Sequence, residues 1–168
     1  LGFVMLGLFS LNQLAVDGAI LQMVNHGVST GALFMLVGFI YDRRHTRMIS
    51  DFGGLAAPMP VYFNFFLVMM LSSVGLPALN GFVGEFLILI GSFQENPLLA
   101  GIATVGVILA AVYLLYMFRR VFYGEVTHEE NRNLLDLNWR EITAVVPLAA
   151  MAFMIGLFPT VFLGRITP

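Results

Sequence analysis

The stretch GLPALNGFVGEF, residues 75–86, places a glutamate, a proline, an asparagine and three glycines inside a long apolar run. Glu85 falls eight residues past Pro77, roughly 12 Å along a helix, which puts its carboxyl near the middle of a membrane. A carboxylate there costs several kcal/mol unless it is hydrated or paired. A group held between its neutral and charged forms can carry a proton. A second ionisable group lies in LQMVNHGVSTGALF, residues 21–34. His26 has Gln22 at i−4, Ser29 at i+3 and Thr30 at i+4, a polar stripe on one helical face. Histidine gains and loses a proton near neutral pH. The chemistry these residues support is proton transfer: Glu85 as carrier, His26 as relay, and Gln22, Ser29 and Thr30 as groups that order water. The alternative is structural, with Glu85 and His26 bonded to neighbouring helices and Gly81, Gly84, Gly27 and Gly31 as packing faces.

Other chemistries lack their residues. Cysteine is absent, which removes disulfides, thiolate clusters and cysteine-ligated iron–sulfur centres. The DFG tripeptide at 51–53 has no phosphate loop or catalytic loop beside it. There is no metal-ligand cluster, no dinucleotide fingerprint and no nucleophile paired with a base. The expectation is therefore no catalytic redox residue, no cofactor-binding residue and no metal ligand on this chain.

The elements that must position the two groups follow from composition. Apolar residues make up 59% of the 168 and charged residues 11%, with a mean hydropathy of +0.89; a soluble domain is about one quarter charged. The apolar runs are continuous, which disfavours a membrane barrel with its period of two. The fold class is an all-α integral membrane protein, a polytopic bundle of about four full transmembrane helices plus a partial one. The partial helix is 1–11, the tail of a helix whose start lies outside the sequence. The others are about 16–41, 61–94, 98–122 and 142–163, the last kinked at Pro147. As one straight helix, 61–94 would reach roughly 50 Å, against a hydrocarbon core of about 30 Å. Arginine placement resolves this. All eight basic residues are arginines. Arg43, Arg44, Arg47, Arg119, Arg120, Arg132 and Arg140 flank two loops, 42–60 and 123–141, and only Arg165 lies elsewhere. The positive-inside rule puts both loops on the cytoplasmic, matrix or stromal side, so 61–94 crosses once. One discontinuous helix satisfies both constraints, broken near 75–81 at Gly75, Pro77 and Gly81, where proline removes a backbone donor.

The segments NHGVSTGALFMLVGFIYDRRHTR, FGGLAAPMP and GLPALNGFVGEFLILIGSF resemble the antiporter-like proton-translocating subunits of respiratory complex I (NADH–quinone oxidoreductase), the subunit M or chain 4 group in particular. The resemblance covers essentially the whole chain. It implies the end of helix ten and helices eleven to fourteen of a fourteen-helix fold with two inverted repeats, each holding a broken helix. By resemblance, Glu85 matches the carboxyl that takes part in proton transfer on the exit side, and His26 the helix-eleven histidine of a central hydrophilic axis. The family's first repeat is outside this chain, as is a histidine expected just before Leu1, so the segment alone is not expected to pump. The implied cofactors, NADH, flavin, iron–sulfur clusters and quinone, belong to other subunits. The implied partners are the other membrane-arm subunits, neighbouring antiporter-like subunits included, and the lipid bilayer, with no nucleic acid. The implied location is a bacterial inner membrane, or a mitochondrial inner or thylakoid membrane. A multisubunit sodium/proton antiporter, a membrane-bound hydrogenase and a scaffold without transport stand as the other readings.

Overall fold

The computed structural model describes residues 1–166. They form α1 (Gly2–Phe9), α2 (Gln13–Arg44), a 3-10 turn (Ile49–Asp51), α3 (Pro60–Val74), α4 (Asn80–Glu95), α5 (Pro97–Phe122), α6 (Glu129–Arg132), α7 (Trp139–Leu157) and α8 (Pro159–Ile166). No strand occurs among the described residues. Among the described residues, three helices are long and apolar enough to cross a membrane, α2, α5 and α7. The expected discontinuous helix is present as α3 and α4, of 15 and 16 residues. Each alone reaches only about 22–24 Å.

Local sequence explains the boundaries. The Asn12 side chain accepts from the amides of Leu14 at 3.0 Å and Ala15 at 3.4 Å, so α2 starts three residues before the apolar run at Val16. It ends at His45, which takes a left-handed conformation with φ 53°. Pro60 opens α3 from the first-turn position that proline favours. The carboxylate of Asp136, distant in sequence, then accepts from the amides of Val61 at 2.7 Å and Tyr62 at 3.0 Å. Gly75 closes α3 with φ 85°, and the Leu76 amide bonds the Leu71 carbonyl at 3.0 Å, a Schellman stop that L side chains disfavour.

The last apolar run departs from expectation. The helix expected at 142–163 begins earlier and is two helices. Asn138 and Glu141 form a capping box, which starts α7 at Trp139. Phe158, the residue before Pro159, leaves the helical region with φ −125°, as pre-proline residues tend to. Pro159, lacking an N–H, then opens α8. Pro147 stays inside α7, which continues through it.

Two apolar clusters flank a polar layer. The larger joins Val28, Ala32, Leu36 and Ile40 of α2 to Tyr62, Phe66, Met69 and Met70 of α3, Phe118 and Phe122 of α5, and Val145 and Ala149 of α7. Phe118 and Phe122 lie 4.6 Å apart by ring centroid, and Phe66 lies 5.0 Å from Phe122; such pairs add about 0.5–1.5 kcal/mol each beyond area burial. The smaller cluster is Val4, Ala19 and Ile88. Small residues bring α2 and α4 together: a Cβ on Gly91 would lie 2.5 Å from the amide nitrogen of Ala15, and one on Gly18 would lie 2.7 Å from Leu87 Cβ.

The two arginine-bearing loops meet at one end of the bundle. Arg43 forms a bidentate pair with Glu141, 2.7 Å on each arm, and also donates to the carbonyls of Phe39, Leu135 and Asp136. Arg44 pairs with Glu130 and donates to Asn131 Oδ1 at 2.6 Å, and Asn131 donates to the carbonyl of Asp51 at 2.9 Å. At the opposite end, Asn12 donates to Gln94 at 3.2 Å and Glu95 at 3.3 Å. The loops expected to share one side of the membrane therefore share one end of the fold.

Candidate functional site

The break between α3 and α4 is a five-residue turn, 75–79. Gly75 and Pro77 lie in it. Ala78 has φ 76° without being glycine. Gly81, in the first turn of α4, sits where any Cβ would run into the Ser72 carbonyl oxygen, so the two half-helices approach through its bare backbone. A Cβ at Gly156 of α7 would similarly run into the Ala78 carbonyl, so a third helix packs closely against the turn.

Glu85 lies in the second turn of α4, half-buried. One carboxylate oxygen accepts from Gln22 Nε2 at 3.3 Å. The other lies beside Gly75, where a Cβ would come within 2.9 Å of it. Gly84 is bare because the Gln22 amide occupies the space of its Cβ. From Gln22 a buried network runs along the break. Asn25 Nδ2 donates to Gln22 Oε1 at 3.0 Å and to the Asn80 carbonyl at 2.8 Å. Asn80 Nδ2 returns bonds to the Asn25 carbonyl and to Ser29 Oγ, both at 3.3 Å, and Ser72 Oγ donates to Asn80 Oδ1. Ser29 Oγ reaches the Asn25 carbonyl at 2.9 Å and Ser72 Oγ at 3.0 Å. Ser29 and Ser72 bring two hydroxyl protons to these three oxygen contacts, so at most two are made at once.

A cavity of about 320 Å³ opens on this network, lined by Gln22, Asn25, His26, Ser29, Thr30, Ser72, Ser73, Gly81 and Glu85 among its polar and small residues. A water occupies about 30 Å³ of liquid, so the space suits a short water chain. Every polar residue expected from sequence to serve proton transfer lines this one cavity. Glu85 and His26 are not hydrogen-bonded to each other. His26 Nδ1 pairs with Thr30 Oγ1 at 3.0 Å, on the more exposed part of the stripe, while Gln22 and Ser29 face the break.

Sequence reasoning missed Asn25, Asn80 and Ser72, each at most 1% exposed. Asn25 was detectable, three residues after Gln22 and four before Ser29 on the same stripe. Asn80 stood in the broken motif itself. Ser72 had no signal separating it from Ser73. A further carboxyl, Asp17, is buried near the start of α2 and accepts from Gln13 at 2.8 Å.

The NADH:quinone oxidoreductase/Mrp antiporter transmembrane family matches residues 1–112. The NADH-quinone oxidoreductase subunit M of Rhodobacter capsulatus is 47% identical over 168 residues, 100% of this chain and 33% of the relative. The NADH-ubiquinone oxidoreductase chain 4 of Marchantia polymorpha is 41% identical over 163 residues, 97% of this chain and 33% of the relative. Respiratory complex I from Thermus thermophilus with bound NADH contains a chain that superposes with a TM-score of 0.86 at 34% identity, covering 94% of this chain and 33% of that one. The chain thus spans about a third of the length of these relatives. With a broken helix, apolar helices of spanning length and matches across nearly all of its residues, it belongs to the NADH:quinone oxidoreductase/Mrp antiporter transmembrane family.

Proposed function

We propose that this chain is part of a proton-translocating membrane-arm subunit of NADH–quinone oxidoreductase, the C-terminal part of one antiporter-like transmembrane domain. Glu85 carries the proton, His26 relays it, and Gln22, Ser29 and Thr30 order the water between them. The observation that carries this reading is a half-buried carboxyl beside a helix break, in a cavity that it shares with His26. Broken membrane helices line wet cavities and present freed backbone to ions. The oxidoreductase activity belongs to the assembly, a translocase. NADH, flavin, iron–sulfur clusters and quinone sit on its other subunits, and this chain has no redox centre. Its partners are other membrane-arm subunits, neighbouring antiporter-like ones included, and lipid. The loops 42–60 and 123–141 face the cytoplasm of a bacterium with the complex in its inner membrane. The matching family also takes in Mrp antiporters, so a sodium/proton antiporter subunit is the rival; copurification with redox subunits separates the two.

The test replaces Glu85 by Gln and by Asp in the full-length subunit within its complex. Assembly is verified, and proton uptake driven by NADH oxidation is followed in vesicles. Glu85→Gln abolishes translocation and Glu85→Asp keeps part of it. An assembled Glu85→Gln complex that translocates normally would show that the carboxyl only packs helices.

A further inference from the structure

The amides beside Glu85 form a chain with a direction. Gln22 turns its NH2 toward the carboxyl, and it does so because Asn25 Nδ2 occupies its carbonyl oxygen. Asn25 is itself held by the backbone carbonyl of Asn80, the first residue after the break. Both NH2 hydrogens of Asn25 are thereby used, and its own Oδ1 is buried without a partner. A buried orphan acceptor is rare and asks for a reason.

We propose that Asn25 is a positioning residue for proton transfer, holding the Gln22 amide with its NH2 toward Glu85 and tying that orientation to the backbone of the helix break through Asn80. This rests on the proton-transfer reading above. A charged carboxylate only accepts hydrogen bonds, and Gln22 as observed supplies a donor. A protonated Glu85 keeps one acceptor oxygen, which the observed Gln22 NH2 still satisfies, and gains a hydroxyl; the arrangement changes when that hydroxyl forms on the oxygen that faces Gln22. Gln22 accepts it by turning its amide over, which presents Oε1 to Glu85 and NH2 to Asn25. Asn25 turns with it: its Oδ1 takes the Gln22 NH2 and its NH2 leaves the Asn80 carbonyl, so the protonated arrangement gives up the Asn25–Asn80 bond. The proton on Glu85 is thus registered at the turn between the half-helices, through two side-chain amides and no covalent change.

The test uses the complete complex in vesicles, with NADH-driven proton translocation as readout and assembly verified for each variant. The variants are Gln22→Leu, Asn25→Leu, their combination, Asn25→Ser and Glu85→Gln. Each single leucine variant slows translocation about tenfold, the scale of one hydrogen bond to a charged group. Because the two amides act in series, the double variant is no slower than the worse single one. Asn25→Ser, which keeps one donor, recovers part of the rate. If Asn25→Leu does not assemble, Asn25→Ser combined with Gln22→Leu gives the same cycle, and the same absence of further slowing is expected. Normal translocation in the assembled Asn25 variants, or a double variant slowed about a hundredfold, overturns the positioning role, while a Glu85→Gln complex that assembles and does not translocate leaves the proton-transfer reading standing. Normal translocation by Glu85→Gln overturns both.

Discussion

Arg43→Ala removes one of the ties between the two loops at the arginine end, the one to Glu141 and the 135–136 backbone, and its effect is expected to be read at a distance, in the first turn of α3. Arg43 is 16% exposed and Glu141 14% by side chain. The guanidinium makes two bonds of 2.7 Å to that carboxylate and donates to the carbonyls of Leu135 and Asp136. Alanine leaves a mostly buried carboxylate unpaired and two carbonyls without their donor. Breaking a fully buried pair in this way costs about 3–5 kcal/mol; the remaining exposure lets water offset part of it, so about 2–3 kcal/mol is expected. The segment released carries Asp136, whose carboxylate caps α3 through Val61 and Tyr62. At 1.4 kcal/mol per tenfold, opening of that turn becomes about thirty- to a hundredfold more frequent. Amide hydrogen exchange followed by mass spectrometry, on the full-length protein in lipid nanodiscs, reads this in the peptide spanning 60–66. Glu141→Gln keeps a neutral acceptor and has an effect several-fold smaller. Unchanged exchange at 60–66, with faster exchange at 131–138, would refute the reasoning, because Asp136 would then hold α3 without help from Arg43.

Gly81→Ala forces a Cβ into the Ser72 carbonyl, a backbone atom that no rotamer change can move; overpacking of this kind costs about 1–3 kcal/mol, read as a lowered midpoint of thermal unfolding. Ala78→Gly relieves a left-handed residue whose strain is about 1–2 kcal/mol, less the entropy that glycine adds to the unfolded chain, so a small rise in the same midpoint is expected. Asp51, in the loop, is held below the usual carboxylate range by hydrogen bonds from Thr46 at 2.5 Å and Ser50 at 3.1 Å. Its contribution is therefore complete above the ordinary aspartate range and is lost as pH falls through the depressed folded value. Thr46→Val moves that loss to higher pH, checked by the pH dependence of exchange at the Asp51 amide, which donates to the Met48 carbonyl at 3.0 Å.

The break was legible because three independent constraints met there: an apolar run too long for one crossing, arginines that permitted only one, and glycines with a proline at its centre. The place of Glu85 was legible because its spacing from Pro77 sets it in the half-helix that follows the break. The partners of Glu85 were less so. Sequence periodicity places Gln22 on a face but does not say which amide on a neighbouring helix will complete it, since Asn25 and Asn80 lie 55 positions apart and meet only through the turn. The cap of α3 by Asp136 is likewise invisible to local rules, because it crosses 75 residues. The second interruption, at Phe158, was available from the pre-proline rule, but continuous hydrophobicity through 142–163 concealed it. Apolarity reports where a chain can sit in lipid, and it does not report whether one helix fills that length.

The uneven apolarity of the helices bears on how the protein enters its bilayer during synthesis. Helix α5 is strongly apolar and, over its most apolar stretch, is left almost wholly uncovered by the other described helices, so it can partition as an independent segment. The short α4 cannot: it carries Asn80, Glu85, Gln94 and Glu95, and an ionisable group at the centre of an inserting helix is penalised by several kcal/mol. The ribosome delivers α2 first, and α2 presents Gln22 and Asn25, the partners that Glu85 and Asn80 will need. The earlier helix therefore serves as a template on which the later, more polar one is admitted to lipid. Substitutions along the stripe of α2 are expected to lower the yield of inserted protein as well as to loosen the contact of α2 with α4 in the finished fold.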